Sequence, residues 1–467
     1  MKRISILTVN FLTLLLLTSC GVLKTYERPA DIRTDGIYGD AQSGDSLGFG
    51  DLKWRELFTD PTLQALIEKA LAQNTNILNT DLQLQEVEYA LKASKLAFAP
   101  SIYFTPSGTI SKLYDPYGRD QYSAMTSGNS KTYALPVTLG WQNVNFLQLR
   151  NQKKGAEVSR EQLINAKQAV QAALVANVAN MYYTLAMLDE QLAMMKQTQD
   201  NWAQYLDMER KLMDAGQANT AAVSSIEATY YSISTGVVTL QQNIRVVENN
   251  LSTLLGESAH AIERGSLSSF QAPAILTTGV PIRMLSRRPD VRAAELTLAK
   301  AFYDANSAKA AFWPSLNLTA TGQYTNSLGN AVINPGMMIG AAVASLTQPI
   351  FANGRLRAQY KISQAEMEIA ANDFQQKVIS AGNEVNTALV ELNSAEAKKE
   401  MYSKQVEALD TALDATQKLY AYSATNYLNV ISAQNSLISA QMDYISNRMD
   451  AISATIELYE ALGGGAE

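Results

Sequence analysis

The 467-residue chain has a single cysteine, Cys20, and a single histidine, His260. A lone cysteine excludes a disulfide within the chain, and His260 has no second metal ligand or catalytic partner beside it in the sequence. We find no phosphate-binding loop and no metal-ligand cluster. The sequence therefore predicts a protein that is not an enzyme and that uses no cofactor and no metal.

Charge is also scarce. Only 18% of the residues are charged, and the formal net charge is −6. Proteins that bind nucleic acids neutralise phosphates with clustered Lys and Arg side chains, and this acidic chain has no such cluster. No nucleic-acid partner is therefore expected.

Long hydrophobic runs are missing after the N-terminus, where no stretch reaches the roughly 18 apolar residues of a membrane-spanning helix. At the N-terminus, two basic residues precede an apolar segment over residues 4–17, which runs into Leu17-Thr18-Ser19-Cys20. This order is typical of a signal peptide, here residues 1–19, and small residues before a cysteine are typical of a bacterial lipobox. We predict lipidation (palmitate) at Cys20 and a lipidated N-terminal segment over residues 20–60. An ordinary signal peptide without lipidation is the alternative.

Prolines are missing from two tracts of more than 100 residues each, between Pro136 and Pro273 and after Pro349. In both tracts apolar residues recur at alternating steps of four and three, from Leu174 to Leu192 and from Ile438 to Tyr459. This spacing predicts long coiled-coil helices, with an ordinary buried helix face as the alternative. Each tract is interrupted once near its middle, so each predicts a helical hairpin with an arm on the order of 100 Å long.

Between the helical tracts lie strand-like segments in which apolar and polar residues alternate. One segment starts with the alternation at residues 102–104, a second contains residues 135–141, and a third starts at residues 316–318. A weaker fourth segment covers residues 340–348. Segments of roughly 9–12 residues with one apolar face have the length of transmembrane β-strands. Four strands are too few to close a barrel in lipid, where about eight are needed, so several chains would have to share one barrel. Small soluble hairpins packed on helices are the alternative.

The sequence also repeats itself, because KLAFAPSIYFTPSG at residues 95–108 recurs as KAAFWPSLNLTATG at residues 309–322. Pro100 and Pro314 occupy the same place in the two copies. Proline lacks a backbone N–H and disfavours helix at the residue before it, so both positions predict a helix-to-strand junction. Trp313 suits a lipid interface at the second junction, with a buried structural role as the alternative.

The repeat divides the chain into a first half, residues 61–272, and a second half, residues 273–467. Each half is predicted to contain a helix, a β-hairpin and a helical hairpin, and the first ends in an equatorial loop. The β-hairpins are placed at about 101–142 and 315–349, and the helical hairpins at about 147–256 and 353–463.

Five motifs resemble the TolC-like outer-membrane efflux protein family, especially its NodT/OprM-like lipoprotein branch. The sequence LSRRPDVRAAE is the most specific match, and WRELFTDPTLQALIEKALAQN resembles the family's entry motif. The other three are YERP, TQPIFANGRLRAQ and LYEALGGG. In chain order the five lie at residues 26–29, 54–74, 285–295, 347–359 and 458–465. The resemblance extends over nearly everything after the signal peptide.

The resemblance implies a mixed α and β membrane protein that forms a homotrimer. Each chain would give four strands to a 12-stranded outer-membrane β-barrel and long coiled-coil helices to a periplasmic α-barrel. It would be the passive, porin-like channel of a tripartite multidrug efflux system, with a periplasmic adaptor (membrane fusion) protein and an RND-type inner-membrane pump as partners. The implied place is the cell outer membrane, with a lipid anchor and a periplasmic extension. A type I protein secretion duct, or a lipid-anchored periplasmic coiled-coil spacer or adhesin without a channel, are the alternatives.

The resemblance also places a constriction on the helix after the second hairpin turn. Ser432 stands at the family's acidic position there, and Asn435 stands at the basic position that follows. An acidic ring is therefore not expected. We predict an apolar and hydrogen-bonded gate formed by Tyr427, Leu428, Ser432 and Asn435, with simple packing between neighbouring helices as the alternative.

The tips of the two helical hairpins are the predicted docking surface for the adaptor. The candidate residues are Ala215, Gly216 and Gln217 in the first turn and Tyr422, Ser423 and Ala424 in the second.

Overall fold

The computed structural model describes residues 24–29, 49, 52–112, 129–270, 288–325, 338–422 and 425–465. These residues are mostly helical and include one small sheet, which confirms the prediction of a mixed α and β chain at this coarse level. The helices are α1 (Trp54–Leu57), α2 (Pro61–Gln73), α3 (Thr75–Leu96), α4 (Phe146–Asp214), α5 (Thr220–Leu254), α6 (Pro289–Ala310), α7 (Arg355–Ala421) and α8 (Tyr427–Ala461). The strands are β1 (Ser101–Phe104), β2 (Ser107–Lys112), β3 (Asn129–Val144), β4 (Ser315–Thr325) and β5 (Met338–Thr347).

The long helices α4 and α7 contain 69 and 67 residues, so each is about 100 Å long. The helices that return from them, α5 and α8, have 35 residues each, so only one arm of each hairpin has the predicted length. In the described part of the chain, no helix combines the length and the apolar character needed to cross a membrane.

The chain forms two compact units. As far as their residues are described, the first is built from residues 24–29, 85–161 and 295–372, and the second from residues 49–84, 162–294 and 373–465.

The first unit contains an antiparallel sheet in the order β1–β3–β4–β5, with β2 also paired to β3. β1 pairs with residues 137–140 of β3 and β2 pairs with residues 129–134, so the two pieces together occupy one edge. The first of the four predicted strands is therefore interrupted, at residues 105 and 106. Pro106 explains the interruption, because it has no backbone N–H to donate to the ladder.

The two faces of this sheet differ in polarity. One cross-strand row on the first face aligns Ile102, Leu139, Ala320 and Ala342, and Val137 belongs to the next row. Side chains on this face are well exposed, including Val137 at 49% and Leu139 at 41%. The opposite face is rich in threonine, with Thr138 and Thr321 hydroxyls 3.2 Å apart. Because side chains alternate along a strand, the sequence pattern alone sets this two-faced character.

The second unit is a helical core. Its largest side chains with less than 2% exposure come from the α1–α2 region and from α4, α5 and α8. Part of the predicted seam is buried, with Leu174, Val178 and Leu185 in α4 and residues 445 to 459 at steps of four and three in α8. Near the start of α8 the buried face runs through Gln434 and Leu437 instead of the predicted Ile438, which is half-buried. The buried stripe thus shifts by one residue toward the hairpin tip.

Candidate functional site

The two prolines singled out in the sequence each lie between a helix and a strand of the first unit. Pro100 follows the end of α3 and precedes β1, and Pro314 follows α6 and precedes β4. Near each proline a side chain from a strand end caps the preceding turn. The Trp141 indole N–H donates to the carbonyl of Phe98 at 3.0 Å, and the Gln348 amide donates to the carbonyl of Phe312 at 2.8 Å. Side-chain donors of this kind satisfy the carbonyls that a helix end leaves without a partner.

Asn145 is a buried amide that joins the second of these junctions to the start of α4. Its Nδ2 donates to the carbonyls of Ala310 at 2.6 Å and Trp313 at 3.3 Å. Its Oδ1 accepts from the backbone N–H groups of residues 147 and 148, both at 3.1 Å, and so caps the helix N-terminus. Trp313 itself is half-buried. One asparagine thus fixes where α6 ends and where α4 begins.

The first hairpin turn is formed by Ala215, Gly216 and Gln217, all of which are exposed. Gly216 has φ of 74°, a left-handed conformation that glycine adopts without a Cβ clash. The Gln217 N–H donates to the carbonyl of Leu212 at 2.8 Å, which is the closing bond of a Schellman turn. After the turn, the Asn219 side chain accepts from the N–H of residue 222 and starts α5.

The helix after the second hairpin turn starts in a similar way. The Asn426 side chain accepts from the N–H of residue 429 and starts α8, and position 426 lies 207 residues after Asn219. Tyr422 is 84% exposed, whereas Ser423 and Ala424 lie outside the described residues, as does Cys20. Lys418 binds Asp414 at 2.6 Å near the end of α7, and the corresponding pair in α4 has the same distance.

Three of the four predicted gate residues share one face of α8. Leu428, Ser432 and Asn435 follow each other at steps of four and three, which places them on one side of the helix. All three are exposed, Leu428 by 54%, while the neighbouring Val430 is buried on the other side. Tyr427 is half-buried and lies beside this row rather than in it.

A buried contact between the two hairpins was not found from the sequence. The Tyr420 hydroxyl in α7 donates to Oε1 of Glu209 in α4 at 2.7 Å, and Glu209 has 0% exposure. Its Oε2 and the hydroxyl of Tyr205 have no hydrogen-bond partner among the described residues. Burial, followed by the bond to Glu209, raises the pKa of Tyr420, so this hydroxyl keeps its proton and donates. A buried carboxylate that has one tyrosine and no paired cation within the described part of the chain is costly to keep in this position.

An open groove of about 1060 Å³ lies next to this contact, between the ends of α4 and α7. Its walls carry aromatic, amide and aliphatic side chains and no charged group among the residues that line it. They include Tyr205, Met208, Gln217, Gln417 and Tyr420. The predicted docking turn therefore opens into a neutral groove.

Arg288 lies in the most specific sequence motif, directly before Pro289, the first residue of α6, and has a structural role there. Arg288 is 5% exposed, and its guanidinium binds Asp290 at 2.8 Å, Glu384 at 2.5 Å and the carbonyl of Ala461 at 3.0 Å. Lys377 binds the same Asp290 carboxylate at 2.7 Å. This charge cluster ties the start of α6 to α7 and to the end of α8. The sequence could not predict these distant partners of Arg288.

The chain is similar to known proteins. The family model described as "Outer membrane efflux protein" matches residues 66–257 and 280–464. The "Cation efflux system protein CusC" of Escherichia coli K12 is 26% identical, over 97% of this chain and 98% of that protein. The "Probable outer membrane lipoprotein SilC" of Salmonella typhimurium is 25% identical, over 89% of each.

A crystal structure of CusC has the same fold. Its TM-score is 0.83 at 24% identity, and the match covers 94% of this chain and 99% of that chain. The family model covers well over half of the sequence, and its members are passive channels of the outer membrane. The chain therefore belongs to the outer membrane efflux protein family and is an outer-membrane channel component of an efflux system, not an enzyme.

Proposed function

We propose that three copies of this chain form one duct, in which each gives four strands to a shared 12-stranded barrel and its long helices to a periplasmic tunnel. The observation that carries this proposal is the sheet of the first unit, which has an exposed apolar face and a threonine-rich face. Its two edges, β1 with β2 and β5, pair with no further strand among the described residues. Open edges are not tolerated in lipid, so neighbouring copies must complete them.

The proposed internal repeat rests on matching contacts. Trp141 and Gln348 lie 207 residues apart and cap equivalent carbonyls near the two prolines. Asn219 and Asn426 lie at the same offset and start the two return helices. Such agreement at several positions is difficult to explain without duplication of a helix, β-hairpin and helical-hairpin unit.

The gate is proposed at the exposed row of Leu428, Ser432 and Asn435, with Tyr427 beside it. An exposed helix face with one large apolar residue and two uncharged polar residues suits a narrow passage without an acidic ring. The adaptor is proposed to dock at the two hairpin tips, beside the neutral groove. An inner-membrane pump of the RND type would then supply the driving force, because the duct itself uses none.

Cys20 is proposed as the lipidated residue that anchors the chain to the outer membrane. The supporting observations are the lipobox-like sequence before it and the word "lipoprotein" in the name of the relative SilC. The pump selects the class of cargo that the duct carries. The gene for this chain is deleted, and growth of the cells is measured on copper and silver salts, antibiotics and detergents. Sensitivity to the salts indicates cation efflux, as the name of CusC suggests, and sensitivity to antibiotics and detergents indicates multidrug efflux.

The shared barrel is tested by crosslinking its two edges. Ser101→Cys on β1 is combined in turn with a cysteine at each of residues 343–347 on β5, and the oxidised outer membrane is run on a gel. We expect a covalent trimer for at least one pair. Ala320→Cys on the central strand β4 replaces the β5 cysteine in the control, which should remain monomeric. If every edge pair gives only monomers, the shared barrel is ruled out. The better interpretation would then be a lipid-anchored periplasmic coiled-coil spacer.

A further inference from the structure

The six residues before Ala30 lie along α6 in the first unit. The backbone N–H of Tyr26 donates to the hydroxyl of Tyr303 at 3.3 Å, and its ring meets the Phe302 ring edge-on at 5.9 Å. Arg28 binds both carboxylate oxygens of Glu295, with Nε to Oε1 at 2.8 Å. Glu295 is only 4% exposed, so this is a two-bonded ion pair at a nearly buried carboxylate.

The order of these contacts gives the segment a direction. Tyr26 meets residues 302 and 303, and Arg28 meets residue 295, so the segment runs antiparallel to α6. Followed backwards from Tyr26, the chain heads toward the C-terminal end of α6, where Pro314 begins the passage into β4.

Apolar side chains are exposed around the two helix-to-strand passages of this unit. They are Ile350 at 97%, Phe351 at 83%, Leu96 at 61%, Phe146 at 50% and Phe312 at 39%. We call these five residues the apolar rim. Each of the five lies within five residues of a strand end in the sequence, and exposed large apolar side chains mark a surface that another apolar partner covers.

Chain length decides which partner can reach this rim. From Tyr303 to the end of α6 at Ala310 is about 10 Å at 1.5 Å per residue. The six-residue step from Cys20 to Tyr26 spans at most about 20 Å when extended. Cys20 can therefore reach past the end of α6 to the apolar rim, with about 10 Å to spare.

We propose that residues 24–29 are a strap that delivers the acyl chains of Cys20 to the apolar rim. The strap fixes the level at which the anchor enters the membrane, and the Arg28–Glu295 pair is its clasp. This inference rests on the lipidation of Cys20 proposed above. It adds that the anchor is held at a set distance from the strands and is not a free tether.

The test changes the length of the chain ahead of the strap. Deletion of residues 22–24 leaves the lipobox and Gly21 intact, removes none of the contacts described above, and cuts the reach to about 10 Å. We expect about five-fold less trimer in the outer-membrane fraction, because the anchor then reaches only the end of α6. An insertion of Gly-Ser-Gly at the same place is the matched control, and it should leave the trimer level unchanged because a longer loop costs little.

The decisive experiment releases the strap. Tyr26→Ala with Arg28→Ala should restore the deletion variant to within about two-fold of the original trimer level, because the freed tail regains its reach. A deletion without effect, or a defect that the released strap does not relieve, would overturn the proposal. Mass spectrometry of the N-terminal peptide is run on every variant. An unacylated Cys20 in the unaltered chain would instead refute the lipidation on which the proposal rests.

Discussion

Arg288 and Glu209 are both charged and both buried in the second unit, but they are compensated in opposite ways. The Arg288 guanidinium meets two carboxylates and a backbone carbonyl, all within 3.0 Å. Glu209 meets one tyrosine hydroxyl, and its second oxygen has no partner among the described residues. A well-paired buried charge roughly offsets its desolvation, whereas a lone buried carboxylate does not. The comparison indicates that the Arg288 cluster contributes more to the stability of the fold than the contact between the hairpins at Glu209 does.

The largest effect is expected at Arg288. Arg288→Met removes the buried cation, leaves the half-buried carboxylate of Asp290 with Lys377 as its remaining charged partner, and should lower the free energy of unfolding by about 3–5 kcal/mol. Thermal unfolding of the detergent-solubilised chain, followed by circular dichroism, measures this loss. Arg55→Met is the control, because Arg55 pairs with Glu68 at the surface and should contribute less than about 1 kcal/mol. Equal losses of unfolding free energy in Arg288→Met and Arg55→Met would contradict the special contribution of the buried cluster.

Acid should weaken the same cluster. Burial alone would raise the pKa of Asp290, but the hydrogen bonds and charges of Arg288 and Lys377 outweigh it and hold that pKa well below its usual range. A carboxyl with a depressed folded-state pKa stabilises the fold above its unfolded pKa of about 3.9, and this contribution is lost as the pH falls from there through the folded value. Thermal midpoints between pH 6 and pH 3 should therefore fall, and they should fall less in Asp290→Asn. An equal fall of the thermal midpoint in the unaltered protein and in Asp290→Asn would contradict the assignment of this pH dependence to Asp290.

At the hairpin contact, two substitutions should act in opposite directions. Tyr420→Phe removes the one donor to the buried carboxylate and should cost about 1–3 kcal/mol. Glu209→Gln keeps an acceptor oxygen for Tyr420, removes the buried charge, and should be neutral or stabilising. Thermal unfolding gives the sign for each variant, with Tyr422→Phe as an exposed control. A loss of stability in Glu209→Gln as large as in Tyr420→Phe would show that the charge is well compensated after all.

The smallest effect is expected at the paired lysines near the tips. Lys418 and Asp414 are 69% and 62% exposed, so Lys418→Ala should change the free energy of unfolding by at most about 0.5 kcal/mol. Lys211→Ala should behave in the same way because its pair has the same geometry. Unequal losses would show that the two hairpin ends are less alike than their geometry indicates.

The sequence predicted the elements because their signals are local. The absence of proline indicated the long helices, Pro100 and Pro314 marked the ends of helical segments, and alternation marked the strands. The interruption at Pro106 was missed, because a single proline at a strand edge resembles an ordinary loop residue in the sequence.

The long-range contacts could not be predicted. Glu209 and Tyr420 are 211 positions apart, and neither stands in a motif or at a conspicuous spacing. Arg28 and Glu295 are 267 positions apart, and although each lies in one of the five motifs, neither motif indicates that the two side chains pair. Pairing across the fold depends on how the helices pack, and neither helical periodicity nor composition carries that information. The row formed by Leu428, Ser432 and Asn435 could be predicted, because helical spacing alone places these residues on one face.

The most direct test of the duct is the single-channel conductance of the purified trimer in a planar bilayer. The unaltered protein should conduct weakly. Leu428→Ala should conduct more, because it removes the large apolar side chain from the proposed constriction, and Ser432→Ala reports on the polar part of the same row. Val238→Ala, which alters an exposed apolar residue on α5 (63%, against 54% for Leu428), should match the unaltered protein. Conductance of Leu428→Ala equal to that of Val238→Ala would contradict the gate, and no conductance from any variant would contradict the duct itself.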